Sequence, residues 1–294
     1  MILLSGFTLI VVGALAVIVF AVIFFGVLTK SGGSNDSEID RLIELGEMPD
    51  RKKIEKFMKD NDFYQVFQPF IDSRTNEIVG CEALTRLRGG KDGVTMPEGF
   101  LEKIRDERLY LKFDMFVFGK CCEWIKNRKN KKSLVVTCNF SRRTLATDNS
   151  AKNIIRIAEK TGVSPENIAI EIIEDAVRGC DDKMADNISK LKAAGFKIYL
   201  DDFGKAHTSI GDLTKLRPDV IKLDREMLCN ASEKEGRIVL ESMVKLAKKI
   251  GTVVLCEGIE TKEQAQTATA SGCDLLQGFY YYKPMTAEDL DELL

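Results

Sequence analysis

The run Lys197-Ile198-Tyr199-Leu200-Asp201-Asp202-Phe203-Gly204 sets two adjacent carboxylates at the end of an apolar stretch, with a glycine just behind them. Side-by-side carboxylates repel each other, so a chain that presents both at a strand end calls for a cation between them. A divalent metal is the first chemistry the pair suggests. An Asp-Asp-x-Gly surface turn is the competing one, because both residue types suit turn geometry. Other apolar runs end the same way: Ile78 to Cys81 leads to Glu82, Leu134 to Cys138 leads to Asn139, and Ile168 to Ile170 leads to Glu171. Further on, Val220-Ile221 leads to Lys222, Val253 to Cys256 leads to Glu257, and Asp274 to Leu276 leads to Gln277.

The segments between these runs carry the apolar spacing of amphipathic helices: Leu111 to Asn127, Ala151 to Lys160, Asp182 to Ala194, Glu233 to Ile250 and Lys262 to Ala270. Unbroken apolar strands that alternate with helices predict a parallel sheet covered by helices. At least seven strands in about 230 residues favour closure into a TIM-like (β/α)8 barrel over an open sheet, with the chemistry at the C-terminal strand ends. The polar residues stand where that fold needs them.

The chain has 294 residues with 43 Lys+Arg against 45 Asp+Glu, a balance that points away from a polymeric nucleic-acid partner. Its 8 Cys form no CxxC pair or metal-finger spacing. Cys81, Cys138 and Cys256 sit inside apolar strands, which reads as buried thiols in a reducing compartment.

Residues 1–29 form a separate unit. Ile2 to Leu28 carries no charge, and a run of about 27 exceeds the roughly 20 helical residues that cross a hydrocarbon core. A transmembrane helix is expected; a cleaved signal peptide would want a basic n-region ahead of a shorter apolar core. Lys30 and Arg51-Lys52-Lys53 come after the span, which places the C-terminal domain on the cytoplasmic side of the inner membrane. Residues 30–60 read as a Ser/Gly linker and then amphipathic helix over Ile39 to Phe57, interrupted near Gly46 and Pro49. Residues 61–294 make the main domain.

The order of motifs resembles the EAL-domain family, the bacterial phosphodiesterases that hydrolyse cyclic di-GMP. The likeness runs through Gln68-Pro69, Glu82-Ala83-Leu84-Thr85-Arg86, Asn139-Phe140-Ser141, Glu171-Ile172-Ile173-Glu174, Asp201-Asp202-Phe203-Gly204, Lys222-Leu223-Asp224, Glu257-Gly258-Ile259-Glu260 and Gln277-Gly278, and covers Phe63 to Leu294. It implies one metal ion on Glu82, Asn139, Glu171 and Asp201, and a second on Asp201, Asp202 and Glu257. All donors are oxygens, which suits Mg²⁺ or Mn²⁺. Two divalent cations and Lys222 balance the five carboxylates. By the same resemblance cyclic di-GMP is cut to linear pGpG, Glu174 supports the loop after the Asp pair, and the barrel forms a homodimer. Lys222 and Glu257 act on the attacking water, Arg86 and Gln68 bind substrate, and Gln277 serves either role. Lys222 and Asp224, two residues apart, are expected on one strand face, where a structural salt bridge is the alternative.

The chain departs from the family's Gly-Thr-Gly-Tyr-Ser-Ser at Gly204-Lys205-Ala206-His207-Thr208-Ser209, and Ile173 stands where threonine is common. His207 replaces a tyrosine and reads as a loop residue. Three functions are open: an active phosphodiesterase, a catalytically weak or inactive receptor for cyclic di-GMP, and a barrel hydrolase for another phosphodiester.

Overall fold

The computed structural model describes residues 51–88, 94–95, 107–173, 181–204 and 210–294. The N-terminal apolar span, its linker, Glu174 and Lys205 to Ser209 lie outside the described residues. Among those described, no helix is long and apolar enough to cross a membrane.

In chain order, α1 (Arg51–Asp60) precedes β1 (Phe63–Asp72), β2 (Ile78–Arg88) and β3 (Val94–Thr95). Next come α2 (Glu107–Asn127), β4 (Val135–Ser141), the short α3 (Arg142–Leu145), α4 (Ser150–Thr161), β5 (Ile168–Ile173), α5 (Asp182–Ala193) and β6 (Lys197–Phe203). The chain continues through α6 (Ile210–Leu216), β7 (Val220–Leu223), α7 (Arg225–Asn230), α8 (Lys234–Lys249), β8 (Val253–Cys256), α9 (Lys262–Ala270), β9 (Leu275–Gln277) and α10 (Ala287–Leu293). Two compact units result, one of residues 64–85 and 101–294, the other of residues 1–63 and 86–100.

The larger unit holds a closed barrel of eight strands. The sheet order β1-β9-β8-β7-β6-β5-β4-β2 is completed by pairing of β1 with β2. From β2 through β4 to β9 successive strands pair parallel, whereas β1 pairs antiparallel with β9 at Phe70↔Gln277 and the short β3 pairs antiparallel with β2. An all-parallel sheet was the expectation from the strand–helix alternation, and the chain between β1 and β2 explains the exception. Only the turn from Ser73 to Glu77 separates them, closed by the Asp72 N–H on the Glu77 carbonyl at 3.0 Å, and a parallel pair needs a crossover of about a dozen residues or more.

Phe70, Ala169, Tyr199, Val220 and Leu255 fill the barrel as one buried cluster. Gly80 makes room for it, since a Cβ there would meet Phe70 Cζ at 2.0 Å. The helices start on side-chain caps: Asp181 accepts the Met184 N–H at 2.7 Å at the head of α5, and Thr261 forms a capping box with Gln264 on α9. In the smaller unit α1 buries Ile54 and Met58, and the rings of Phe57 and Phe63 meet edge to face at 6.2 Å. That helix runs beyond Phe57, where the sequence pattern had placed its end.

Candidate active site

Parallel strands bring the polar ends of β2, β4, β5, β6, β7, β8 and β9 to one mouth of the barrel. Asn139 on β4 is in register with Glu171 on β5. Lys222 is almost fully buried at 2% exposure, and its ammonium collects four carboxylates. Its Nζ lies 3.2 Å from Glu82, 3.3 Å from Asp201 and 2.5 Å from Glu257, and it also bonds Glu171. Asn139 Nδ2 donates to Glu82 Oε1 at 3.2 Å, and Gln277 Nε2 donates to Glu82 Oε2 at 2.8 Å. Gln277 also reaches Gln68 Oε1 at 3.4 Å, and Gln68 Nε2 donates to the Tyr282 carbonyl at 3.1 Å. Seven side chains named from the sequence therefore share one cluster of ion pairs and hydrogen bonds with Lys222.

The adjacent aspartates need a local device, because successive strand residues point to opposite faces. The β6–β7 pairing slips between Leu200 and Phe203, and Asp202 adopts φ +51°, a left-handed conformation that aspartate tolerates better than most residues. Gly204 follows at φ +106°. The result is that Asp201, Asp202 and Glu257 each present a carboxylate oxygen within 4.8 Å of the others.

Burial and crowding set the protonation of the mouth. Burial pushes the Glu171 carboxyl well above the usual range, with Glu82 adding to it. Burial likewise raises Asp201, and it pushes Glu257 up to about 8. Glu82 goes the other way: burial opposes ionisation, but the Lys222 ammonium and the amides of Gln277 and Asn139 outweigh it and hold the carboxyl low. Burial alone would favour a neutral Lys222, yet its four acids hold the ammonium well above the ordinary lysine value.

A family model for the EAL domain matches residues 51–284. The chain belongs to the EAL domain family. A protein of Mycobacterium tuberculosis is 27% identical over 235 residues, 77% of this chain and 76% of that one. The cyclic di-GMP phosphodiesterase NbdA of Pseudomonas aeruginosa is 23% identical over 252 residues, 84% of this chain and 32% of NbdA. Among solved structures, the manganese and cyclic di-GMP complex of Klebsiella pneumoniae BlrP1 shares the fold with a TM-score of 0.67 at 24% identity, over 76% of this chain and 56% of that one.

The EAL domain's donor set fits divalent cations. Asn139 Oδ1 and Glu171 Oε2 are buried and have no hydrogen-bond partner among the described residues. Buried polar atoms are nearly always satisfied, so two orphaned oxygens in a crowd of carboxylates mark a place for a ligand of positive charge. A cavity of about 190 Å³ opens beside them, lined among others by Gln68, Glu82, Glu257, Gln277, Arg225 and Phe279.

One residue stands otherwise than the sequence implied. Asp224 does not share a strand face with Lys222: β7 ends at Leu223, and Asp224 caps α7 by accepting the Glu226 N–H at 2.7 Å. Arg86 lies four residues beyond Glu82 on β2, buried, in the smaller unit. The sequence reading also missed the Arg225–Glu260 pair on the cavity rim, held at 2.6 and 3.0 Å. It missed Asp114 too, whose signal was a lone acid on the apolar stripe of α2 formed by Tyr110, Val117, Phe118 and Cys121.

Proposed function

We propose that this EAL domain hydrolyses cyclic di-GMP to linear pGpG with two divalent cations, Mg²⁺ or Mn²⁺. The observation that carries the reading is the convergence of Glu82, Glu171, Asp201 and Glu257 on one buried lysine, beside two orphaned ligand oxygens. Family membership and relatives such as NbdA, a named cyclic di-GMP phosphodiesterase, support the substrate.

Glu82, Asn139, Glu171 and Asp201 would hold one ion, and Asp201, Asp202 and Glu257 the other. When bound, the ions supply a water acidic enough to ionise near neutral pH and neutralise charge on the transferring phosphoryl group. Lys222 keeps a positive charge beside the acids and orients the attacking water. Asn139 and Gln277 fix the Glu82 carboxylate by an amide bond to each oxygen. Gln68 carries Gln277, and Arg86 takes a phosphate through the fork of its guanidinium.

The uncharged run Ile2 to Leu28 anchors the protein in the inner membrane with the barrel in the cytoplasm, where it works as a homodimer. Protease added outside intact cells should leave the barrel intact, and digestion would reverse that orientation. A receptor without turnover is the second reading, favoured by the altered residues Lys205 to Thr208. Incubating the purified full-length chain with cyclic di-GMP, with and without Mg²⁺ or Mn²⁺, separates the two. Metal-dependent release of pGpG supports the enzyme; binding of intact cyclic di-GMP without cleavage supports the receptor.

A further inference from the structure

Asp114 is a buried carboxylate outside the acid mouth, on the inward stripe of α2. Its Oδ2 accepts the backbone N–H of Ser141 at 3.1 Å and the Ser141 hydroxyl at 3.0 Å. Ser141 Oγ in turn bonds Thr144 Oγ1 at 3.0 Å and accepts the Thr144 N–H at 3.1 Å, capping α3. The far end of that helix is held from another side, where Asn187 on α5 donates to the carbonyls of Leu145 at 2.8 Å and Thr147 at 3.0 Å. The turn where β4 becomes α3 is thus tied to two separate helices.

Burying a carboxylate opposes folding, and a neutral acceptor would satisfy Ser141 as well. An acid kept in such a place is explained by what it holds. Ser141 lies two residues beyond Asn139 on β4 and caps α3, so the bonds at Ser141 fix the strand end from which Asn139 projects. Asn139 Nδ2 reaches Glu82, while its Oδ1 is one of the two orphaned oxygens. A rotation of the β4 end would swing that oxygen away from the acids. A charged acceptor bonding both the N–H and the hydroxyl of Ser141 resists such rotation more than a neutral single bond does.

We propose that Asp114 is a positioning residue: by clamping Ser141 it sets the Asn139 amide in the mouth and thereby tunes cation affinity there. The inference rests on the two-cation reading above, and the test separates them. Mn²⁺ binding to the full-length chain is measured by calorimetry for wild type, Asp114→Ala, Asn139→Ala and the double variant. The Asn139 side-chain amide signal is followed by ¹⁵N NMR in metal-free protein, assigned by its loss in Asn139→Ala.

Asp114→Ala should weaken one Mn²⁺ site about tenfold in the wild-type background and less than about twofold in Asn139→Ala, as expected when one residue acts through the other. Asp114→Asn, which retains an acceptor oxygen, should restore affinity to within about threefold of wild type. Ser141→Ala, which keeps the backbone bond, should give a smaller loss in the same direction and stands in if Asp114→Ala does not fold. In metal-free protein the Asn139 amide signal should shift in Asp114→Ala. A purely structural Asp114 would lower stability and leave both Mn²⁺ affinity and the amide signal unmoved, which would overturn the proposal. Equal losses in both backgrounds would overturn it too. Wild type that binds no Mn²⁺ would sink the two-cation reading, while the amide signal would still decide whether Asp114 positions Asn139.

Discussion

The two mouths of this barrel treat acids in opposite ways. At the N-terminal mouth Asp219 and Asp274 each have a structural duty and one cation of their own. Asp219 accepts the Ile198 N–H at 2.8 Å and pairs with Lys192 at 3.0 Å, and Asp274 accepts the Val254 N–H at 3.0 Å and pairs with Lys248 at 3.1 Å. These acids close the first rungs of β6 and β8, and Asp219 faces a groove of about 700 Å³. At the C-terminal mouth four acids share Lys222, and orphaned oxygens remain. Asp219 and Asp274 are matched and partly wet; the acids around Lys222 are buried and in excess. The excess is the part that a purely structural account leaves unexplained.

Matched substitutions at the two mouths test that contrast. The largest difference is expected in activity. Asp201→Ala should lower cyclic di-GMP hydrolysis by roughly 10³-fold or more, because it removes a group proposed to touch both ions, while Asp219→Ala should leave turnover within about twofold and cost about 1 kcal/mol of stability. Equal activity losses would erase the distinction.

Lys222→Met comes next. Without divalent cations it leaves several buried carboxylates uncompensated and should cost about 3 to 5 kcal/mol. Lys248→Met breaks a pair that is nearly half exposed and should cost less than about 1 kcal/mol. Urea unfolding in a chelator reads both through Trp124, the chain's one tryptophan, which stacks on Phe67 in the barrel wall at 4.1 Å. Similar costs would mean that Lys222 is an ordinary ion pair.

Asp114 gives an intermediate effect with a pH signature. Burial pushes its carboxyl up to about 6, from 3.8 in the unfolded chain, against the hydrogen bonds of Thr144 and Ser141. The folded state therefore binds the proton more tightly, so this contribution is fully present below about pH 4 and is lost as pH rises to about 6. Above that, the loss amounts to on the order of 2 to 3 kcal/mol. Unfolding curves of Asp114→Asn between pH 4 and 7 should lack this slope, and a slope unchanged from wild type would contradict the assignment.

The smallest effect, and the most diagnostic in sign, belongs to Glu171→Gln. Removing a fully buried acid from an overcrowded mouth should raise metal-free stability by about 1 to 2 kcal/mol, while abolishing the stabilisation that Mn²⁺ gives wild type. A loss of metal-free stability would show that Glu171 is needed by the fold.

Much of this was legible in the sequence because parallel strands are buried on both faces, so a polar residue at the end of an apolar run stands out. Lys262 to Ala270 was placed to the residue, and α8 missed only by its caps, Glu233 and Ile250. The strand β1 was not legible as one: Phe63 to Asp72 mixes polar residues with Pro69, and an antiparallel strand in a parallel barrel announces itself by the short turn after it. Asp224 was misplaced because β7 is four residues long and a cap with extended backbone looks like a strand residue until its bond to the Glu226 N–H is in view. Asp114 was passed over because one acid on an apolar helix stripe reads as noise until its partner, 27 residues away, is in view.

The closure of the barrel by its first and last strands has a consequence for how the protein is made. Phe70 pairs with Gln277, and Glu82 takes its amide from a residue 195 positions later. Contacts of such sequence separation form late and slowly, since the loop between them must be ordered first. A nascent chain halted anywhere before Leu275 therefore lacks both the last stave that seals the wall and one of the two amides that hold Glu82. Under the proposed function, truncated products would therefore be inactive toward cyclic di-GMP even when all of their acids are present.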